Sequence, residues 1–432
     1  MKNHTATLKV NPENLTREPL DEILRRGAKE LLAQVLEVEI NLHIEKYQYM
    51  LDEQERRLIV RNGYHKTRKV VTGAGQVEVQ VPRVDDRELE DEERFKSQLI
   101  PPYMRKSKSI EELLPVLYLK GISTGDFQEA LEKILGKNAV GLSAQTICRL
   151  KEIWQKEHES WANRDLSSAE YVYWWADGIH FNVRLGDVAD KRMCILVILG
   201  ARRDGTKEIV AVVDGYRESK DSWVSVLRDL KRRGLKAGPK LAIADGALGL
   251  WAALGEEFSD TDQQLCWTHK ICNVLDKLPN SLQAKAKDML NDIYMAPTKM
   301  DANVAFDVFI EEFEPKYPKA VDCMRNHRER LMAFYNYPAE QWVHIRTSNV
   351  IESPFAAVRL RTNKTKGCGS RMATLTMVFK LLESAQKRWQ RIHGYAKVED
   401  IWQGIKYQDG IRVEEILDGK VKLNEAPEVA LV

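Results

Sequence analysis

The sequence predicts an α/β protein: a mixed sheet interrupted by an all-helical insertion, preceded by a mostly helical N-terminal region with a small β-hairpin. Three observations lead there. Between about residues 169 and 268, Val- and Ile-rich runs of strand length alternate with amphipathic segments. From His269 to about Asn336 no strand pattern appears. Ahead of residue 60, apolar residues recur at helical spacing.

Composition sets the outer limits. A chain of 432 residues, 44% hydrophobic and 30% charged, suits a soluble globular protein of about two or three domains. Its longest apolar runs, such as 193–201, are far too short to span a membrane. The polar N-terminus has no secretory apolar core, and the six cysteines follow no disulfide spacing, so the expected compartment is the cytoplasm. Net charge is only +2, but residues 353–393 carry nine Lys/Arg against the single acid Glu383. Such a stretch is either a polyanion-binding patch or a solvated helix face compensated by acidic neighbours.

Taken in order, residues from about 15 to 60 read as helical, with Leu20, Ile23, Leu24, Ala28, Leu31, Leu32, Val35 and Leu36 at steps of three and four. A hairpin follows: 69–71, the turn 72–75, then Val77, Val79 and Val81 in alternation, ended by Pro82. The acidic run 85–94 reads as a loop. Helices are expected over 110–119 and 127–135, and a third opens at 143–147. Helix, Gly-containing turn and Ser-capped helix is the pattern of a helix-turn-helix, with Gln145, Thr146, Arg149 and Lys151 offered to DNA. Any small helical domain produces the same pattern.

The sheet region begins near Ala169. Strands are expected over 171–176, 193–201, 208–213, 240–244 and 263–267, with an amphipathic helix at 219–233 and a short helix after 246. The stretch 180–185 continues the first strand or begins another. The order β-β-β-α-β-α-β is that of an RNase H-like fold.

The chemistry lies at two Asp-Gly pairs. Asp177-Gly178 and Asp245-Gly246 each close an apolar strand, so each carboxylate leaves the sheet at a strand end, and each Gly lets the chain turn away and a bulky substrate approach. Adjacent strands lie about 5 Å apart, close enough for two carboxylates to share a cation. All-oxygen donors suit Mg²⁺, with Mn²⁺ as a substitute. Phosphodiester chemistry uses two such ions and a further carboxylate; Glu352 in TSNVIESPFAAVRLR is the candidate, with Thr347 and Ser348 as caps and Arg359 and Arg361 following. Asp-Gly is also a common turn dipeptide, so the matching placement of the two pairs and the basic helix after Glu352 carry the reading. Cys266-x-x-His269 is half of a zinc pattern without a second half, which favours a structural or phosphate-facing His269. Trp267 reads as a core residue or a base-stacking one.

These residues resemble the bacterial insertion-sequence transposases related to the eukaryotic Mutator elements, a branch of the DDE transposases. The likeness runs from about Arg61 to His393 through RNGYHKTR, VEVQVPR, LYLKGIST, SAQTICRL, WWADGIHFNVR, SWVSVLRDLKRRGL, IADGALGLW, QLCWTHKICN and TSNVIES. It implies that Asp177, Asp245 and Glu352, spaced 68 and 107 residues apart, are the catalytic metal-binding triad, holding two Mg²⁺ ions per site. It also implies that Cys266 and His269 are a signature pair, and that residues 109–151 bind the element's terminal inverted repeats. Lys364 and Lys366 join Arg359 and Arg361 as expected DNA contacts, although KTKGCGSR departs from the family's usual basic stretch. Pro354 is a second departure: either Ser353 caps a helix with Glu352 just outside it, or Pro354 lies within the first turn.

The organisation implied is 1–108 for dimerisation or DNA binding, 109–165 helix-turn-helix-like, 166–268 the first part of the catalytic core, 269–345 the helical insertion, 346–396 the final core helices and 397–432 a tail. The expected partners are terminal-repeat and target DNA and a second copy of the chain, since two DNA ends must be paired; no membrane is expected. Two rivals are a catalytically inactive, transposase-derived DNA-binding protein and an RNase H-like nuclease that cuts without joining.

Overall fold

A computed structural model describes residues 20–120, 122, 129, 133, 144–183, 192–215, 217–246, 248–364 and 370–417. The chain divides into two compact units, Met1–Leu150 and Lys151–Val432.

In the first unit, α1 (Leu20–Lys46) ends well before residue 60, where the sequence reading had extended the helix. Its buried Leu36, with Ala28 and Leu32, packs on Val70, Val77, Val79, Val81 and Ile100. The expected hairpin is β2 (Arg68–Thr72) and β3 (Gly75–Val79), in register from Arg68↔Val79 to Thr72↔Gly75. A second ribbon, absent from the sequence reading, joins β1 (Val60–Tyr64) to β4 (Pro82–Asp85). Pro82 therefore begins a strand rather than ending one, as Pro is allowed to do at the first residue of a two-stranded ribbon. Helix α2 (Lys108–Leu119) buries Ile110 and Leu114 against Val71. Apart from residues 129 and 133, the helix expected over 127–135 lies outside the described residues. The next helix, α3, spans Ala144–Ala162.

The second unit is built on a five-stranded mixed sheet of order β7-β6-β5-β8-β9. Strands β5 (Tyr171–Asn182), β6 (Arg192–Arg202) and β7 (Lys207–Asp214) are antiparallel neighbours; β8 (Leu241–Ala244) and β9 (Asp262–Leu265) add in parallel beyond β5. The central strands are almost wholly apolar and buried on both sides. Helix α4 (Lys220–Arg232) is capped by the Ser219 hydroxyl, buries Trp223, Leu227 and Leu230, and stops at Gly234, whose φ of +100° suits glycine. It packs with α5 (Leu248–Glu257).

Strand alternation assigns the two faces of β5. Trp174 meets Phe258 at the end of α5, and Gly178 lies under Glu218, so even-numbered residues face α4 and α5. Tyr173 bonds Gln341, and the Trp175 indole donates to the His344 carbonyl (2.8 Å), so odd-numbered residues face the opposite way.

After β9 the chain is helical: α6 (Trp267–Leu275), α7 (Asn280–Met295), α8 (Lys299–Phe313), α9 (Pro318–Arg325) and short turns up to Ile345. Trp267 is fully buried, donating to the Leu331 carbonyl at 2.8 Å, which makes it a core residue. Helices α10 (Asn349–Lys364) and α11 (Arg371–Gln386) then pack on β5 and β7. The segment after 397 docks on the insertion, Asp409 accepting from the Lys299 amide (2.6 Å). No described helix is long and apolar enough to cross a membrane.

Candidate functional site

Asp177 and Asp245 come together through sheet register. The parallel pairing of β5 with β8 ends at Trp175↔Ile243. Two residues further on each strand are Asp177 and Asp245, on the face of β5 that α10 covers. The first strand does not end at Asp177, as the sequence reading had it; β5 continues to Asn182 against β6. What ends is its parallel partner, and that opens the sheet above both carboxylates. The Asp245 carbonyl accepts from the Trp251 indole (2.9 Å), fixing the turn into α5.

The two glycines differ. A Cβ at Gly246 would meet nothing within 4 Å, so space there is open. A Cβ at Gly178 would lie 2.8 Å from Glu218 Oε2 and 3.0 Å from Cys194 Sγ. Gly178 therefore makes room for protein atoms on the α4 face, not for a turn.

Glu352 sits in the first turn of α10, a helix that begins at Asn349. Pro354 is the sixth helical residue, so its missing N–H costs a single bond, to the Val350 carbonyl, and Glu352 stays inside the helix. A hydrogen-bonded cluster holds it. The Ser348 hydroxyl bonds Glu352, donates to Cys266 Sγ (3.0 Å) and lies 3.3 Å from His269 Nδ1. His269 Nδ1 is 3.6 Å from Glu352 Oε1, and the Ser348 amide donates to Cys266 Sγ (3.2 Å). Cys266 and His269 open α6, so this cluster ties the starts of α6 and α10 together. One donor atom each from Cys266, His269 and Glu352 lie within 4.8 Å of one another.

The charges form one neighbourhood. Burial, then Asp245 and Glu352, push Asp177 up to about 6, against the Gly178 amide and His269. His269 rises to about 9 through its bond to Cys266 and the nearby carboxylates, so it keeps its proton at neutral pH. Burial raises the Cys266 thiol, but bonds from His269 and Ser348 outweigh that and bring it below its ordinary value. Glu218, in the connection from β7 to α4, belongs to the same field: burial, Asp245 and Asp177 push it up to about 7. Sequence reasoning missed Glu218, and took Ser348 only as a cap.

The basic residues separate. Arg149 and Arg359 are exposed, and Lys151 is half-buried. Arg361 was expected to face phosphates but is 4% exposed, because it falls on the inner face of α10 one turn after buried Val358. Further along, Arg371 pairs with Asp214 and Lys380 with Glu157 (2.9 Å), so part of the basic stretch is compensated. The side chains of Gln145, Thr146 and Lys364, and the whole of Lys366, lie outside the described residues.

Comparison with known proteins gives the family of the chain. The profile described as "Transposase, Mutator family" matches residues 1–392. The transposase for insertion sequence element IS6120 of Mycolicibacterium smegmatis is 48% identical over 309 residues, 72% of this chain and 94% of that one. The transposase for IST2 of Acidithiobacillus ferrooxidans is 46% identical over 291 residues, covering 66% and 95%. The transposase for IS256 in transposon Tn4001 of Staphylococcus aureus is 26% identical over 343 residues, covering 79% and 84%. Among solved structures, the Drosophila P element transposase strand transfer complex overlaps at a TM-score of 0.27 and 9% identity, over 68% of this chain and 85% of that one, too distant to bear on the fold. The chain belongs to the Mutator family of transposases.

Proposed function

We propose that this transposase binds the terminal inverted repeats of an insertion sequence and carries out metal-dependent cleavage and strand transfer through Asp177, Asp245 and Glu352. The observation that carries the reading is the convergence of three carboxylates from β5, β8 and α10 on one side of the sheet, within one electrostatic neighbourhood. The sheet order, three antiparallel strands followed by two parallel ones, supports an RNase H-like core.

The donor set fits a divalent cation. Hard oxygen ligands predominate, and Asp177, raised by burial and its acidic neighbours, would be stabilised in its charged form by a bound cation. A pair of Mg²⁺ ions, or Mn²⁺ in their place, would activate the attacking oxygen and stabilise the leaving one. The protein's own part is positional. Asp177 is fixed by its strand and by the Gly178 amide (2.7 Å), and Asp245 by the turn that Trp251 closes. Ser348 and protonated His269 orient the Glu352 carboxylate. Open space over Gly246 admits the phosphodiester, and exposed Arg359, one helix turn and more beyond Glu352, meets the DNA backbone.

The second copy of the chain needed to pair two DNA ends would dock on α1. One side of that helix packs on the hairpin, while Leu20, Leu24, Leu31, Val35, Val38 and Leu42 are exposed at steps of three, four and seven. Enzyme and DNA are expected to meet in the cytoplasm.

The test uses purified full-length protein, Mg²⁺ and DNA carrying the ends of the element that encodes it. Joined strand-transfer products are expected from the wild type and none from Asp177→Asn. Cutting without joining would instead identify a nuclease, and end binding without cutting an inactive derivative.

A further inference from the structure

We propose that His180, Cys194 and Glu218 form a zinc-class cation site on the α4 face of β5, on the opposite side of the strand from Asp177. Three elements supply it. His180 lies in β5 two residues beyond Gly178, Cys194 is its direct cross-strand partner in β6, and Glu218 comes from the segment that leads into α4. One donor atom from each lies within 4.8 Å of the others. A cation at their centre therefore needs only small side-chain shifts to reach ordinary zinc distances of about 2.0–2.3 Å.

The backbone is arranged around this convergence. A Cβ at position 178 would crowd Glu218 Oε2 at 2.8 Å and Cys194 Sγ at 3.0 Å, so Glu218 can sit this close to β5 only over a glycine or by shifting its carboxylate. On the other side, Gly249 of α5 lets Ser219 approach closely: a Cβ there would stand 2.8 Å from the Ser219 carbonyl carbon. Two glycines thus allow Glu218 to be pressed onto β5 from above. Once there, it has no hydrogen-bond donor among the described residues, and His180 Nε2 stands 4.0 Å from its Oε2. Cys194 is 1% exposed, and its thiol likewise has no hydrogen bond among the described residues. A mostly buried carboxylate left without donors is costly, and a cation shared with a thiolate and an imidazole removes that cost.

The donor set decides the class of ion. One sulfur, one nitrogen and one oxygen suit Zn²⁺, not Mg²⁺, which takes oxygen ligands almost exclusively. Three protein ligands leave a fourth tetrahedral position for water beside exposed His180. The thiol proton passes to solvent as the ion binds. An ion here cross-links β5, β6 and the approach to α4 directly behind Asp177.

Cobalt is the probe, because a thiolate ligand gives Co²⁺ a near-ultraviolet charge-transfer band that carboxylate sites lack. Chelator-treated full-length protein is titrated with Co²⁺ without DNA. The wild type and Cys266→Ser are expected to develop the band and Cys194→Ser to lack it. His180→Ala and Glu218→Gln are expected to need far more Co²⁺, beyond the roughly 10–100-fold that loss of an outer-sphere partner costs. No band in the wild type overturns the proposal. So does a band lost in Cys266→Ser and kept in Cys194→Ser, which would place the ion at Cys266, His269 and Glu352. Should Cys194→Ser fail to fold, His180→Ala decides, since His180 is exposed; an unchanged Co²⁺ affinity in that variant also overturns it.

Discussion

The two faces of β5 around residues 177 and 178 hold acidic side chains under opposite conditions. On the α10 face, Asp177 has the Gly178 amide, and Glu352 has Ser348 and His269. On the α4 face, Glu218 is pressed against the strand with no hydrogen-bond donor among the described residues. The first face offers mainly oxygen donors around open space, the second a mixed sulfur, nitrogen and oxygen set that reaches the surface at His180. A single-residue step along a strand is enough to separate two chemistries, because successive side chains point to opposite faces. It also leaves Glu218 within electrostatic reach of the α10 face, so that Asp245 and Asp177 add to burial in raising its pKa.

The largest expected effect comes from the α10 face. Asp177→Asn or Asp245→Asn should lower Mg²⁺-dependent strand cleavage by about 10³-fold or more, since a lost metal ligand removes several kcal/mol of transition-state stabilisation. End binding, measured by mobility shift, should survive. Cleavage within tenfold of wild type in either variant would remove that aspartate from the site. Glu352→Gln should fall as far, and if it does not, another acid completes the set.

The pH dependence of stability comes next and separates the faces directly. In the metal-free protein, burial and neighbouring carboxylates raise Asp177 from 3.8 to about 6 and Glu218 from 4.5 to about 7. The folded chain then holds protons that the unfolded chain has released, so each group weakens the fold as pH rises. For Asp177 the penalty builds between about pH 4 and 6, and for Glu218 between about 4.5 and 7; below that window neither costs anything. Each amounts to roughly 3 kcal/mol when complete. Stability differences between wild type and Asp177→Asn, and between wild type and Glu218→Gln, isolate the two windows from the rest of the titration. If both differences stay flat from pH 4 to 7, burial and the neighbouring carboxylates do not raise these two groups.

A smaller effect tests how the α10 face is organised. Ser348→Ala removes the hydroxyl that links Cys266, His269 and Glu352. A supporting group of this kind costs about 10–100-fold in activity. The loss should fall on turnover rather than on DNA affinity, and Ser348→Thr should restore much of it. Equal loss of DNA affinity would mean that Ser348 supports the fold or contacts DNA instead.

How much of this the sequence displayed depends on whether a feature is local. Asp245 was legible because an apolar run marks β8 and the first polar residue marks its end, whereas Asp177 was found although β5 continues past it to Asn182. Order along the chain, with no strand between β9 and α10, was legible for the same reason. Glu218 was not: it sits in an irregular connection, and only the packing of α4 on the sheet brings it to Gly178. Nor was the pairing of His180 with Cys194, which depends on the β5–β6 register. Pro354 misled because the start of α10 was undetermined; once the helix begins at Asn349, a proline six residues in is tolerable.

Arg359 and Arg361 show the same limit on a helix and give the smallest effect. Both count as positive charge in the sequence, yet helical phase turns one outward and buries the other beside Val358. An exposed arginine that meets a phosphate releases counterions, so Arg359→Ala should weaken binding to specific and random DNA alike and reduce the salt slope by about 1. Arg361→Ala should leave that slope unchanged and lower the melting temperature, because its side chain is packed inside the fold. A change of slope for Arg361 with none for Arg359 would mean that α10 rotates or unwinds when DNA binds, and that the face carrying Glu352 is remade at the same time.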